Sequence, residues 1–404
     1  MLYALLIYLR EIQGIKVPLA FTYFSTRMFL ATATALLLSI YLGPYFIKKL
    51  YELKIGDAVR LEDCPLLKQL HEKKKDTPTM GGVLILFSML VSLLLWMNLQ
   101  HIFTLLLFIT TICVGLIGAW DDYLKLKYKN AKGLSGKKKL LCQLFIAALI
   151  GLYLLVPQFT KSLQMGKWFT PPIAKEFVSI KDEPKNVVVL STQDYAQRLY
   201  VPFIKEPVWI ATGVGLGVMG IFFLLVITGS SNAVNLTDGL DGLAAGCCVM
   251  AASVLAIMGF ISNNIDLSRY LNILYIEGSG EIAIYLSAMV GACLGFLWYN
   301  GYPAQVFMGD TGSLPLGAIL GVSAVLLKKE IVLAIVGGVF VMEAMSVILQ
   351  VLSYKYRNKK RIFLCSPIHH HFEYKGWSET KVVIRFWIIA ILLAIVGLAT
   401  IKFQ

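Results

Sequence analysis

Little in this sequence suits a soluble or secreted protein. Asp, Glu, Lys and Arg make up 15% of its 404 residues, against roughly 25% in soluble domains. The seven cysteines are scattered: Cys113, Cys142, Cys247, Cys248 and Cys293 fall in apolar runs, Cys64 and Cys365 in basic loops. No pair has disulfide-framework or metal spacing, so reduced, structural thiols are expected. The start, Met1 to Pro18, carries Arg10, Glu11 and Lys16 after a short apolar run and has no small-residue cleavage site. That excludes a signal peptide and a span, and predicts an interfacial helix within residues 1–20. No internal repeat of fixed period is evident.

What is abundant is apolar. Hydrophobic residues reach 57% and mean hydropathy is +0.72, far above soluble averages. The expected fold class is an all-α polytopic integral membrane protein, a single unit over residues 1–404. Ten apolar runs are long enough to read as spans: near 24–48, 80–98, 102–119, 139–156, 207–229, 241–261, 281–299, 312–327, 329–354 and 381–402. The eighth and ninth are parted only by Lys328, which demands a tight turn.

The net charge of +13 does not call for nucleic acid. In such a chain basic residues mark cytoplasmic loops, and they suit anionic headgroups and phosphorylated substrates. The segments after spans one, three, five, seven and nine share one side. Three of them, near 48–79, 120–139 and 355–381, hold eight, seven and seven basic residues, 22 of the 37 in the chain. That side is expected to be cytoplasmic, with both termini facing outward. The long outer segment 157–206 contains the strand-like run Val187-Val188-Val189-Leu190, so a small hairpin is expected there.

The organising stretch is Asn232-Ala233-Val234-Asn235-Leu236-Thr237-Asp238-Gly239-Leu240-Asp241-Gly242, where the fifth span gives way to the sixth. Carboxylates are costly in hydrocarbon but tolerable at its boundary, and glycines allow close backbone approach to a ligand. The plainer alternative is a polar hairpin, which needs fewer acids and amides. Asp121-Asp122 ends span three. Paired carboxylates raise each other's pKa and oppose the dipole at a helix C-terminus, so a divalent-metal or proton-transfer site is favoured over a solvated helix end. Gly309-Asp310-Thr311-Gly312-Ser313 offers Thr311 as an N-cap with free N–H groups for an anion. Asp310 beside it is placed for Mg²⁺ that bridges phosphates, and Phe307 offers a ring for base stacking. His369-His370-His371 includes three of the five histidines, read as phosphate-contacting or proton-carrying groups, with zinc the minor alternative. In Lys74-Lys75-Asp76-Thr77-Pro78-Thr79-Met80-Gly81-Gly82, the proline and threonines predict a helix start; the lysines meet a phosphate or anchor the span. Glu343, deep in span nine, is either functional or protonated and hydrogen-bonded within the bundle. All the loop motifs fall on one side, an agreement that a miscounted span would have destroyed. Together they indicate metal-assisted phosphoryl-type transfer onto a lipid.

Asp121-Asp122-Tyr123-Leu124-Lys125, Asn232 to Ala244, Gly309 to Ser313 and Pro367-Ile368-His369-His370-His371-Phe372-Glu373 resemble the polyprenyl-phosphate sugar-1-phosphate transferases. Thr77 to Gly82 and the triple-histidine stretch are similar to the phospho-N-acetylmuramoyl-pentapeptide transferases among them. The resemblance runs through essentially the whole chain. It implies a cleft facing the cytoplasm in the bacterial inner membrane, Mg²⁺, and reaction of UDP-N-acetylmuramoyl-pentapeptide with undecaprenyl phosphate to give lipid I and UMP. The lipid bilayer is a further partner, nucleic acid is not, and a homodimer is left open. Carried over by position, Asp310 binds Mg²⁺ with Asp121 and Asp122 beside it, and these three with His369 and His370 are the catalytic set. Asn235, Asp238, Gly239, Asp241, Asn300 and Phe307 form the nucleotide end. Lys74, Lys125, Lys137 and Lys139 contact phosphates, Thr79, Gly309 and Ser313 border the substrate, and His369, His370 and His371 close the cleft against the sugar-phosphate. One member of the Asp121–Asp122 pair is the family's suggested base on the lipid phosphate. A phosphate monoester with a second pKa of about 6 needs little deprotonation, so positioning and charge balance are preferred. Two alternatives stand beside this reading. An N-acetylglucosamine-1-phosphate transferase is disfavoured by the triple histidine, and an ion-coupled transporter by the lack of repeated halves and by carboxylates that gather at one interface, with only Glu343 deep.

Overall fold

The computed structural model describes residues 1–11, 13, 18–53, 77–128, 133–178 and 186–402. Its helices are α1 (Leu2–Glu11), α2 (Phe24–Glu52), α3 (Gly82–Trp96), α4 (Ile102–Lys127), α5 (Gly136–Leu155), α6 (Pro157–Ser162), α7 (Thr192–Ala196) and α8 (Gly215–Thr237). They continue with α9 (Leu243–Ser262), α10 (Ile265–Leu271), α11 (Ser279–Asn300), α12 (Asp310–Leu327), α13 (Glu330–Val336), α14 (Gly338–Tyr356), α15 (Ile368–Tyr374) and α16 (Glu379–Lys402). Among the described residues nine helices are long and apolar enough to cross a membrane: α2, α4, α5, α8, α9, α11, α12, α14 and α16. The shorter apolar α3 stands where the second of the ten expected spans lies. The chain is an all-α polytopic membrane protein.

Burial sorts the helices into centre and rim. In α12 the apolar window is 94% buried, against 28% in α2, α14 and α16, so α12 is the axis and those three turn most of their surface to lipid. α12 packs on α4 and α8, while α11 packs on α2 and α9. Pro44 interrupts α2; having no N–H, it leaves the carbonyl one turn back unmet. That carbonyl belongs to Ile40, and Tyr299 Oη of α11 donates to it at 2.6 Å. At the start of the same helix the buried Arg27 pairs with Glu281 of α11 at 2.8 Å and donates to Trp96 O at 2.7 Å.

Several boundaries differ from the expected ones. The fifth span begins at Gly215, because Trp209–Ile210 (β4) pairs instead with Arg198–Leu199 (β3). It then runs on to Thr237. Its polar residues stay helical by bonding back to carbonyls four residues earlier: Thr228 to Leu224, Asn232 to Thr228 and Thr237 to Ala233. The third span extends to Lys127, so Asp121 and Asp122 lie inside α4 and not at its end. The eighth begins at Asp310, with Gly309 and not Thr311 at the cap. The second begins at Gly82, beyond the Thr77-Pro78-Thr79 start signal. The ninth is split at Gly337 into α13 and α14. In the segment 157–206 the expected hairpin is present: β1 (Ala174–Val178) runs antiparallel to β2 (Asn186–Leu190), with Ala174 opposite Leu190 and Val178 opposite Asn186. β5 (Tyr275–Ile276) adds to the other edge of β1.

Candidate active site

Four helices and one strap converge on a cluster of carboxylates. The strap is residues 77–81. It is fastened to the 306–309 loop by Phe307 N–H to Pro78 O, Gly81 N–H to Phe307 O and Gly82 N–H to Met308 O, each at 2.8 Å. Gly309 has φ +72°, and a side chain there would meet Asp122 Oδ2 at 2.8 Å and the Thr79 hydroxyl at 2.9 Å. Glycine is therefore required where the loop enters α12.

Asp122 reaches from α4 to the N-terminus of α12. Its Oδ2 accepts from the Thr311 N–H at 2.9 Å and the Thr311 hydroxyl at 2.7 Å, while Oδ1 accepts from the Asp310 N–H at 3.3 Å. A helix N-terminus leaves its first N–H groups unmet and favours negative charge, and Asp122 supplies both needs from a neighbouring helix. Asp310 is thereby held in a fixed attitude. Its Oδ1 accepts from Asn235 Nδ2 at 2.8 Å, and the same amide donates to Ser313 Oγ at 2.8 Å. Asp121, one residue before Asp122, accepts from the Leu134 N–H with Oδ1 at 2.6 Å.

The remaining oxygens face two ammonium groups. Lys125 Nζ lies 2.7 Å from Asp121 Oδ2 and 3.3 Å from Asp310 Oδ2; Lys139 Nζ lies 3.2 and 2.7 Å from the same two atoms. Both lysines are partly exposed, whereas Asp121 and Asp122 are buried. Among the described residues, three carboxylates against two ammoniums leave one negative charge over. Ligand oxygens of Asp121, Asp122 and Asp310 all lie within 4.8 Å of one another. Such an all-oxygen, anionic donor set fits a hard divalent cation. Asp121 Oδ2 strengthens the fit, being buried and accepting no well-formed hydrogen bond; among the described residues the lysine ammoniums are its only neighbours of opposite charge. Asp122 has its oxygens committed to α12, so Asp121 and Asp310 are the better ligands.

The other expected positions fall into three groups. Around the 238–242 turn, Asp241 Oδ2 accepts from the Ala304 N–H at 2.9 Å, and Asn300 bridges Gly242 N–H to Val306 O. These two residues tie the turn to the loop that carries Phe307, which is partly buried, and Asp238 is partly buried in the turn itself. The histidines form the second group. His369 is fully buried, with Nδ1 3.0 Å from Glu343 Oε2. Glu343 is thus hydrogen-bonded within the bundle to one of the candidate catalytic histidines. His370 Nδ1 is 2.7 Å from Glu373 Oε2, and His371 Nδ1 accepts from the Leu364 N–H at 3.1 Å. A methyl group on Gly239 would overlap His369 Nε2. One end of α8 thus touches both clusters, Asn235 on the triad and Gly239 just past the helix on the histidine. Lys137 and Lys74 make the third group. Lys137 is exposed on the first turn of α5 and is not brought to the triad; Lys74 lies outside the described residues.

The sequence reading missed three partnerships: Thr311 with Asp122, Glu343 with His369, and Asn235 with Asp310. Only Glu343 carried a signal, as a carboxylate deep in an apolar run.

Residues 104–328 match the model of glycosyl transferase family 4, and residues 74–86 match signature 1 of the phospho-N-acetylmuramoyl-pentapeptide-transferases. A phospho-N-acetylmuramoyl-pentapeptide-transferase of Protochlamydia amoebophila is 64% identical over 98% of both chains. Proteins of the same name from Desulfotalea psychrophila and Neisseria gonorrhoeae are each 45% identical over 95% of both chains. With the family model covering more than half of the chain and relatives aligned nearly end to end, this protein is an enzyme of the phospho-N-acetylmuramoyl-pentapeptide-transferase family.

Proposed function

We propose that the chain transfers phospho-N-acetylmuramoyl-pentapeptide from its UDP derivative to undecaprenyl phosphate, giving lipid I and UMP, with the triad facing the cytoplasm and Mg²⁺ as the cation. The carrying observation is the shared grip of Asp121 and Asp310 on Lys125 and Lys139. In the free enzyme those ammoniums balance the acids. Mg²⁺ held by Asp310 and Asp121 would neutralise pyrophosphate oxygens in the transfer. Lys125 and Lys139, each with three donors, would then be free to contact the phosphates. Asp122 keeps Asp310 in place through α12. The lipid phosphate, already largely dianionic near neutral pH, attacks without a dedicated base; the P–O bond to UMP breaks as the new P–O bond forms. Asn300 and Asp241 shape the nucleotide loop. His369, set by Glu343, and His370, set by Glu373, close the cleft over the sugar-phosphate.

The test is direct. Detergent-purified protein, UDP-N-acetylmuramoyl-pentapeptide, undecaprenyl phosphate and Mg²⁺ should release UMP and form lipid I in equal amounts. UMP release with UDP-N-acetylglucosamine in place of the muramoyl substrate would move the enzyme to the sister activity.

A further inference from the structure

At the end of α12 remote from the acidic triad lies a cavity of about 480 Å³. Lys328 and Lys329 line it, roughly 27 Å along the helix axis from Asp310. Lys328 is engaged within the fold: its Nζ donates to Glu330 Oε1 at 2.7 Å and to Ala196 O at 3.2 Å, and lies 4.7 Å from the Phe223 ring centre. Lys329 is different. It is 8% exposed, and among the described residues its Nζ donates no hydrogen bond and closes no ion pair. Burial draws its ammonium down to about 8, although Glu330 pulls the other way.

Among the described residues the charge balance of the wall is short by one anion. Glu330 already serves Lys328. Glu176 is held by Arg198 and by Tyr200 Oη. Lys205 and Glu206 sit exposed at the rim and offset each other. One buried positive charge is left over, an arrangement folded proteins avoid unless something pairs it. The lining also carries the apolar side chains of Phe177, Ile210, Ile273 and Leu274. A lone buried cation in a cavity with an apolar lining is complementary to a molecule with one anionic head and an apolar body.

We propose that this cavity binds an amphiphilic anion, its phosphate or carboxylate head on Lys329 and its apolar part along Ile210, Ile273 and Leu274. Nothing in the transfer reaction uses the site. A membrane amphiphile and a free anion share the head chemistry, and the assay separates them. Protein in nanodiscs is titrated calorimetrically with hexyl phosphate, inorganic phosphate and hexanol. Hexyl phosphate should bind once per chain and at least about tenfold tighter than inorganic phosphate, since several methylenes leave water. Hexanol, lacking the charge, should not bind. Lys329→Gln should weaken hexyl phosphate at least about tenfold, the worth of one charge-assisted contact, while Lys205→Gln at the rim leaves it within about threefold. Transfer activity in Lys329→Gln should equal wild type, which checks that the fold survives. Ile210→Trp fills the apolar wall from a half-exposed position and should abolish hexyl phosphate binding while leaving the cation. Equal affinity for inorganic and hexyl phosphate would assign the site to a free anion and overturn the amphiphile. Undiminished binding in Lys329→Gln, binding of hexanol equal to hexyl phosphate, or no saturable binding at all would overturn the site.

Discussion

Thr311→Val separates two roles for Asp122. The substitution keeps the volume and removes one hydroxyl, which touches Asp122 Oδ2 at 2.7 Å. A hydrogen bond to a charged acceptor contributes about 1.5–3 kcal/mol. The Thr311 N–H stays on the same oxygen at 2.9 Å, so the lower end, about 1.5 kcal/mol, is the fair figure. If Asp122 works by holding the first turn of α12, that loss appears as misplacement of Asp310. The corresponding fall in kcat is about tenfold. Were Asp122 instead the base, removing a competing donor would leave turnover unchanged or raise it. The assay is UMP release by purified enzyme at saturating substrates, with UDP affinity measured alongside to show that the nucleotide end is intact. Wild-type turnover in Thr311→Val, combined with complete loss in Asp122→Asn, would refute the capping role.

Three further outcomes are expected. Asp310→Asn should lower transfer by about 10²–10³-fold with no rescue by excess Mg²⁺, while thermal unfolding of the apoprotein in detergent stays close to wild type. Gly239→Ala should cost about 1–3 kcal/mol by overpacking against His369 Nε2, read as slower turnover; a smaller residue at 369 should relieve the clash in a double-mutant cycle, and additive losses would exclude the contact. Glu343→Gln should destabilise the protein by about 1–3 kcal/mol because it weakens a buried hydrogen bond to His369; an unchanged melting temperature would remove Glu343 from the support of His369.

The sequence made the spans legible because a membrane demands long unbroken apolar runs. The same runs hid their ends. Residues 207–214 are apolar enough to extend the fifth span, yet β3–β4 pairing claims two of them. Residues 230–237 look like a loop by polarity but remain helical, since their hydroxyls and amides find carbonyls within the helix. The acidic triad could be assembled on paper because Asp121, Asp122 and Asp310 share a side of the membrane reading. What could not be read was which oxygen of each is already occupied. Asp122 is committed to Thr311 across 189 residues, and His369 to Glu343 across 26. Such pairings depend on how helices lie against one another, and no local pattern records that.

The proline in α2 has a consequence for how the protein is made. Ile40's carbonyl is served by a hydroxyl that lies 259 residues downstream, and Arg27 by a carboxylate 254 residues downstream. When the first long hydrophobic segment leaves the ribosome, neither partner has been synthesised. An amphipathic defect of that kind is tolerable in an aqueous or protein-lined shelter and costly in free lipid. Helix α2 therefore has reason to linger at the insertion machinery until residue 299 emerges, and chains truncated before that point should be the ones that quality-control proteases remove.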